Sequence, residues 1–210
     1  MTSLFPLLPV FLDLTGRAVV LLSAEAGLAP LARRFLDAGA GVTAIDPSPS
    51  AELAALQPSL RILTRRWRSS DLAGATLAVA GAGDPRAPRA RAAARSARAL
   101  FASLGDLTHP DVLLGSTVAR GSLAIGVTAA GVAPGVGEVI ARKVEAAVPA
   151  GYGRFLEAAA RVHEEVAQAL SDATARNVFW QSAAEAAFER DGPGALDDWD
   201  AWIFGRLRKG

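Results

Sequence analysis

Short apolar segments alternate with helical segments along the first half of the chain, and glycine or proline marks most of the breaks. Residues 17–22 are rich in Val and Leu, and residues 28–38 follow with apolar side chains at helical spacing. A second apolar segment, residues 41–45, comes soon after Gly39. This alternation is typical of βαβ units, in which helices connect parallel strands. We therefore predict an α/β fold built on a Rossmann-like parallel sheet.

The rest of the chain divides into a continuation of this sheet and a helical half. Residues 122–128 are predicted as a strand, and Pro134 begins a helix that runs to about residue 148, because proline is favoured in a first helical turn. Glycines at residues 149–153 predict a break. The other predicted strands are 60–64 and 75–80, and the other predicted helices are 85–98, 154–170, 172–189 and 197–207.

Composition excludes several classes of protein. The 210 residues contain no cysteine, so neither a disulfide framework nor a thiolate metal site is available. A formal net charge of +1 is a poor match for a protein that neutralises the phosphates of nucleic acid. No apolar run reaches the roughly 20 residues of a membrane helix, and the N-terminus lacks the basic region of a signal peptide. We predict a cytoplasmic protein without a nucleic-acid or membrane partner.

Two segments have the spacing of a dinucleotide site. Asp46 ends the second strand about 20 residues after the first turn, where an acidic residue binds the ribose of NAD. An aspartate before proline is equally typical of a simple turn, so both interpretations stay open. Gly81 and Gly83 follow the fourth strand. They would let the adenosine side of a nucleotide approach closely, or would form a tight turn, which is the simpler interpretation.

Three stretches of the chain resemble the siroheme synthase family, in the part that acts as precorrin-2 dehydrogenase and ferrochelatase. They are residues 8–22, Asp46, and Arg176-Asn-Val-Phe-Trp180 near the C-terminus. The resemblance covers nearly the whole chain. It implies NAD-dependent oxidation of precorrin-2 to sirohydrochlorin, with iron or cobalt insertion at the same site. It also implies an interlocked homodimer.

The first turn departs from the family pattern. Where the family has a three-glycine turn, a gapless match places Ser23, Ala24 and Glu25. Side chains obstruct the close approach of backbone to pyrophosphate, and the charge of Glu25 repels it. We therefore predict weak NAD⁺ binding. The predicted cofactor-binding residues are Ala26, Gly27, Asp46, Pro47, Gly81 and Gly83.

Asp106 is the candidate catalytic residue, because the resemblance places the family's general base there. An alignment read back from Pro110 places the position on Thr108 instead, but a hydroxyl is a poor base without a partner. Asp106 and His109 are the candidate metal ligands. An aspartate that caps a loop turn and a solvated histidine explain both residues without any function.

The candidate substrate-binding residues are Thr128, Gly131 and Arg120. Thr128 and Gly131 belong to a turn ahead of Pro134 that resembles the family's Ser- and Gly-rich turn. Its backbone N–H groups would suit a carboxylate of the tetrapyrrole. Arg120, like Arg142 and Lys143, would supply positive charge to a substrate rich in carboxylates, although each is an ordinary surface charge in most proteins.

These predictions combine into three segments. Residues 1–112 are predicted as a Rossmann-like NAD-binding domain, residues 113–150 as a dimerisation and substrate segment, and residues 151–210 as a C-terminal helical domain. The alternative to a dehydrogenase is a diverged paralogue that binds a tetrapyrrole or a metal without redox chemistry, because its nucleotide turn is degenerate.

Overall fold

A computed structural model describes residues 7–23, 25–82, 84–104, 110–129, 134–188 and 198–208. The chain divides into two compact units, Met1–Leu114 and Gly115–Gly210. This division describes compactness alone, and the three predicted functional segments remain a prediction. No helix in the described ranges is long and apolar enough to cross a membrane.

The first unit is a parallel sheet flanked by helices. Its strands lie in the order β3-β2-β1-β4-β5, so the order reverses between β1 and β4. The strands are β1 Ala18–Leu21, β2 Gly41–Ile45, β3 Arg61–Leu63, β4 Leu77–Ala80 and β5 Leu100–Ser103. The helices are α1 Ala29–Asp37, α2 Ala51–Ala54 and α3 Ala87–Ser96, and 3₁₀ turns lie at Ala26–Leu28 and Ser69–Leu72. The predicted α/β fold with a Rossmann-like sheet is confirmed.

Both faces of this sheet are covered. Val19 and Leu21 of β1 face the core that contains Phe35 of α1, whereas Val20 and Leu22 face the core that contains α3. On the α3 side, the second core is lined by small side chains, since α3 buries Ala87, Ala90, Ala93 and Ala94. Strands covered on both faces read as continuous apolar runs, which explains why β1 and β4 are recognisable in the sequence.

The second unit combines a hairpin with helices. The antiparallel strands are β6 Ser116–Arg120 and β7 Leu123–Val127, and the helices are α4 Pro134–Ala147, α5 Gly151–Arg161, α6 His163–Ala169, α7 Ala173–Phe188 and α8 Trp199–Leu207. The hairpin turns at Gly121, whose φ of +56° suits glycine. Phe155, Val166, Trp199 and Ile203 are among the buried residues that join the helices.

Two predictions about the second unit were wrong. The break predicted at residues 149–153 contains the first turn of α5, and the single helix predicted at 154–170 is interrupted at Val162. Gly153 is a packing residue and not a helix breaker: a Cβ at this position would press on the backbone carbonyl of Arg120. The glycine therefore lets α5 approach the end of β6.

Candidate nucleotide site

The candidate site lies where the strand order reverses. Val20 and Leu21 of β1 pair with Ala78 and Val79 of β4, so the segments that follow these strands leave the sheet side by side. Open α/β sheets bind ligands at such a reversal, outside the carboxyl ends of the strands. Here the neighbouring segments contain Ser23 and Glu25 after β1 and Gly81 and Ala82 after β4.

Glu25 connects these two segments. Its carboxylate Oε1 accepts a hydrogen bond of 2.9 Å from the backbone N–H of Ala82. A Cβ at Gly81 would lie in contact with this carboxylate and 2.6 Å from Ser23 Oγ. Gly81 thus allows a close approach, as the sequence predicts, but the approaching groups are the chain's own side chains. A cofactor-binding role for Gly81 remains a prediction.

Ser23 lies close to the same Cβ position on Gly81. It is 8% exposed, and its Oγ is buried without a hydrogen-bond partner among the described residues. A buried hydroxyl without a partner is costly, and such groups often mark a place where a ligand or a water binds. The sequence signal for Ser23 is its position in the turn, which the alignment with the family's glycines already gives.

The predicted residues Ala26 and Gly27 form a 3₁₀ turn that leads into α1. The N–H of Leu28 donates to the carbonyl of Glu25 at 3.0 Å, and no side chain caps the helix. Pro30 in the first turn offers no N–H. Gly27 is exposed, and a Cβ there would meet nothing within 4 Å in the described part of the chain. The approach to α1 is therefore open.

Asp46 forms the turn that the following proline predicts. Its Oδ1 accepts a hydrogen bond of 2.8 Å from the N–H of Ser48, across Pro47, and its own N–H donates to the carbonyl of Leu63 at 3.1 Å. The turn interpretation is thus correct. It holds the carboxylate at the end of β2, where a ribose ligand belongs, so the two interpretations are compatible.

Arg86 is a basic residue near Asp46 that the sequence reasoning did not single out. Its Nε and Nη2 donate to Asp84 at 3.0 Å and 3.2 Å. Hydrogen bonds to Asp84 raise the pKa of the Arg86 guanidinium, and the charge of Asp46 acts in the same direction. An arginine at this end of a dinucleotide site accommodates the 2′-phosphate of NADP. Here the Arg86 guanidinium is already hydrogen-bonded to Asp84.

Five candidate residues lie outside the described residues: the catalytic and metal candidates Asp106 and His109, the alternative Thr108, the cofactor candidate Gly83 and the substrate candidate Gly131. The two ends of the segment that contains Asp106 are described. Leu104 N–H donates to the carbonyl of Ala80 at 3.2 Å, while Asp111 exchanges hydrogen bonds with Phe101 of β5. Leu104, the last described residue before this segment, is therefore held at the end of β4. In the described ranges, no group of three or more His, Asp or Glu side chains could hold a metal ion.

Two of the three candidate substrate residues in the second unit are described. Thr128 is exposed directly after β7. Arg120 is three-quarters covered and caps the end of α4, since its guanidinium donates at 3.1 Å to the carbonyls of Val148 and Glu145. Its Nη1 also donates to the carboxylate of Glu145 and to the backbone carbonyl of Ala119. Arg120 thus has a structural role, and its role in substrate binding remains a prediction.

Comparison with known proteins agrees with this geometry. A family model described as "Putative NAD(P)-binding" matches residues 10–116. The chain belongs to this family. It is 34% identical over 179 residues to a siroheme synthase of Pseudomonas entomophila and 32% identical to that of Azotobacter vinelandii. Each match covers 83% of this chain and 38% of the relative, so the chain corresponds to a minor part of those proteins. The predicted resemblance to siroheme synthases is confirmed.

A solved structure has a similar fold over nearly all of this chain. The precorrin-2 dehydrogenase SirC superposes with a TM-score of 0.70 over 97% of this chain and 100% of its own. The two sequences are 16% identical, so this likeness concerns the fold alone.

The Arg120 cap makes a prediction about stability. Arg120→Ala leaves carbonyls at the end of α4 without their donors, and we expect it to destabilise the protein by about 1–3 kcal/mol. The contribution of the ion pair itself is small, because Glu145 is 53% exposed. Denaturant unfolding followed by tryptophan fluorescence measures the difference.

Arg142→Ala is the matched control for the loss of an arginine. Arg142 lies on the exposed side of α4, and its removal should change stability by no more than about 0.5 kcal/mol. An equal loss in both variants would contradict the capping role.

Proposed function

We propose that this protein oxidises precorrin-2 to sirohydrochlorin with NAD⁺ as the hydride acceptor. The observation that carries the proposal is Asp46 at the end of β2, beside the reversal of a β3-β2-β1-β4-β5 sheet, in a chain of the NAD(P)-binding family. The similarity to siroheme synthases and the SirC fold support the substrate. As part of the same proposal, we place the protein in the cytoplasm.

The side chains around the strand ends fit a nicotinamide dinucleotide at its ribose and obstruct it at its pyrophosphate. At the ribose end, Asp46 and the open approach at Gly27 suit a nucleotide. At the pyrophosphate turn the fit requires one movement, because Glu25 holds the Ala82 N–H. Glu25 is exposed, so its side chain is free to rotate into solvent. The bound cofactor would supply the hydride acceptor.

The remaining chemistry is removal of a proton, and we assign it to Asp106. Oxidation of precorrin-2 removes a hydride and a proton, so a base beside the substrate speeds the step. The segment that contains Asp106 begins after Leu104, which is bonded to the end of β4. The bond between the described residue Leu104 and the end of β4 supports this assignment. We extend the proposal to iron or cobalt insertion at Asp106 and His109, on the resemblance alone.

Precorrin-2 is rich in carboxylates, and the proposed contacts for it lie in the second unit. The predicted turn with Thr128 and Gly131 precedes α4 in the sequence, and the N-terminus of a helix favours a carboxylate. Arg120 would add positive charge, although the bonds that it makes to the end of α4 limit how far its guanidinium can reach.

A second candidate function is favoured by the contact between Glu25 and Ala82. If the carboxylate stays in place, the pyrophosphate of a dinucleotide is excluded, and the protein becomes a tetrapyrrole- or metal-binding paralogue without redox chemistry. A calorimetric titration with NAD⁺ separates the two functions. Binding favours the dehydrogenase, whereas its absence together with sirohydrochlorin binding favours the paralogue.

We also propose a homodimer. Val136, Val139 and Ile140 of α4 lie at helical spacing and are 50%, 43% and 43% exposed, on the side opposite to the buried Ala141. Apolar side chains grouped on one helix face are typical of an interface. The interlocked dimer that the resemblance implies makes a second copy the proposed occupant.

The first functional prediction concerns Asp106. Asp106→Asn keeps the size of the side chain and removes the base, so sirohydrochlorin formation should fall by about 10²–10⁴-fold. Absorbance of sirohydrochlorin, with NAD⁺ and precorrin-2 supplied, measures the rate. Thr108→Val is the control for the other alignment. Full activity of the Asn variant together with loss in the Val variant would move the role to Thr108.

The second concerns the choice of nucleotide. Asp46→Asn retains an acceptor for the Ser48 N–H, so the turn should persist, but it removes the charge that repels a 2′-phosphate. We expect the preference for NAD⁺ over NADP⁺ to fall by about tenfold. Calorimetric dissociation constants for both nucleotides test this. An unchanged preference would remove Asp46 from the ribose site.

The third concerns assembly. Light scattering should give about twice the chain mass of 21.6 kDa, and Val139→Lys should give the monomer, because it places a charge in the apolar interface. Val178→Lys is the control, since Val178 of α7 is 61% exposed and lies outside the proposed face. A monomeric wild-type protein would disprove the dimer.

A further inference from the structure

We propose that Glu25 occupies the place of a nucleotide phosphate and is the residue that sets the affinity and ligand specificity of the site. This inference rests on the proposed function, because it takes the reversal between β1 and β4 as the nucleotide site. It goes further by naming the group that a nucleotide must displace and the ligands that are affected.

The first support is the position of the carboxylate. Glu25 follows β1 and Ala82 follows β4, and these two strands are neighbours at the reversal of the sheet. The 2.9 Å hydrogen bond from Ala82 N–H to Glu25 Oε1 therefore crosses the opening in which a dinucleotide would lie. The carboxylate also contacts the position of a Cβ on Gly81, so it lies directly against the backbone of this segment.

The second support is chemical. Backbone N–H groups after the strands of such a sheet bind phosphate oxygens because they carry partial positive charge. A carboxylate resembles one edge of a phosphate, with negative charge shared between oxygens that accept hydrogen bonds. Ala82 N–H cannot serve Glu25 and a phosphate oxygen at full strength at once. The like charges also repel each other at this distance.

Ser23 provides an independent observation. Its hydroxyl is buried, has no hydrogen-bond partner in the described segments, and lies 2.6 Å from the same Cβ position on Gly81. Hydroxyl groups donate to phosphate oxygens, and an unpaired donor here would gain its bond when a phosphate replaces the Glu25 carboxylate. The opening thus contains a donor that its present occupant leaves unused.

The inference separates ligands by their phosphates. NAD⁺ and ADP-ribose carry the pyrophosphate and must displace Glu25. Adenosine lacks phosphate and does not compete for Ala82 N–H. Removal of the Glu25 side chain should therefore improve binding of the first two ligands and leave adenosine unchanged.

The test is calorimetric titration of wild type, Glu25→Ala and Glu25→Gln with NAD⁺, ADP-ribose and adenosine. Glu25→Ala should bind NAD⁺ and ADP-ribose about 10- to 100-fold more tightly, the range expected when a charge-assisted hydrogen bond no longer competes. Glu25→Gln keeps an acceptor for Ala82 N–H but loses the charge, so its gain should be smaller. Adding Ser23→Ala to Glu25→Ala should reverse part of the gain.

Asp37→Ala is the matched control. Asp37 is exposed at the last turn of α1, which runs away from the strand ends that form the site. Asp37→Ala removes one negative charge from the first unit, as Glu25→Ala does, so a general electrostatic effect on affinity would appear in both variants. A gain confined to Glu25→Ala supports the inference, and equal gains in the two variants overturn it.

Other outcomes are equally decisive. Unchanged NAD⁺ affinity in Glu25→Ala would overturn the inference, while sirohydrochlorin formation by the wild type would leave the proposed function intact. An equal gain for adenosine would also overturn it, since adenosine has no phosphate. A selective gain for NAD⁺ and ADP-ribose without any oxidation of precorrin-2 would support the inference and reject the proposed reaction.

Discussion

The parallel pairing of β1 with β4 is the interaction on which the candidate site depends. β1 lies at the centre of the sheet, with Val19 and Leu21 buried against one core and Val20 against the other. Because the crossover after β1 leads to β2 on one side and β4 lies on the other, the segments after β1 and β4 diverge and leave an opening. Ser23, Glu25, Gly81 and Ala82 owe their proximity to this one pairing, although nearly sixty residues separate the two segments in the chain.

The sheet and the turn lead to opposite expectations about nucleotide binding at this site. The order of the strands is that of a nucleotide-binding fold, whereas the turn carries side chains in place of glycines. The contact between Glu25 and Ala82 reconciles them physically, because an intramolecular carboxylate satisfies a donor that the fold exposes. The Glu25 carboxylate does not satisfy every polar group at this site. The buried Ser23 hydroxyl has no hydrogen-bond partner in the described part of the chain.

How much could be predicted depended on whether the signal was local. β1, β2 and β4 were recognisable from runs of apolar residues, because these strands are covered on both faces. No range was predicted for β5 or β6: β5 is short and follows Arg98, which takes a positive φ of 58° at the end of α3, and β6 alternates with polar residues. The beginning of α5 was missed because Gly153 was interpreted as a helix breaker. In the structure Gly153 packs against the backbone of Arg120, about thirty positions earlier in the chain. The hydrogen bond between Glu25 and Ala82 could not be predicted from the sequence either, because the two residues are far apart in the chain.

Asp111 affects how one edge of the sheet is exposed to other molecules. β5 is an edge strand, and an edge strand exposes N–H and carbonyl groups on which the strand of another molecule can add. At Phe101 these groups are already engaged: the Asp111 carboxylate accepts from the N–H at 3.1 Å, and the backbone N–H of Asp111 donates to the carbonyl at 2.9 Å. The returning chain therefore shields the middle of β5 from intermolecular β-pairing. The two hydrogen bonds that hold Asp111 against Phe101 thus also protect the folded protein against aggregation through this edge.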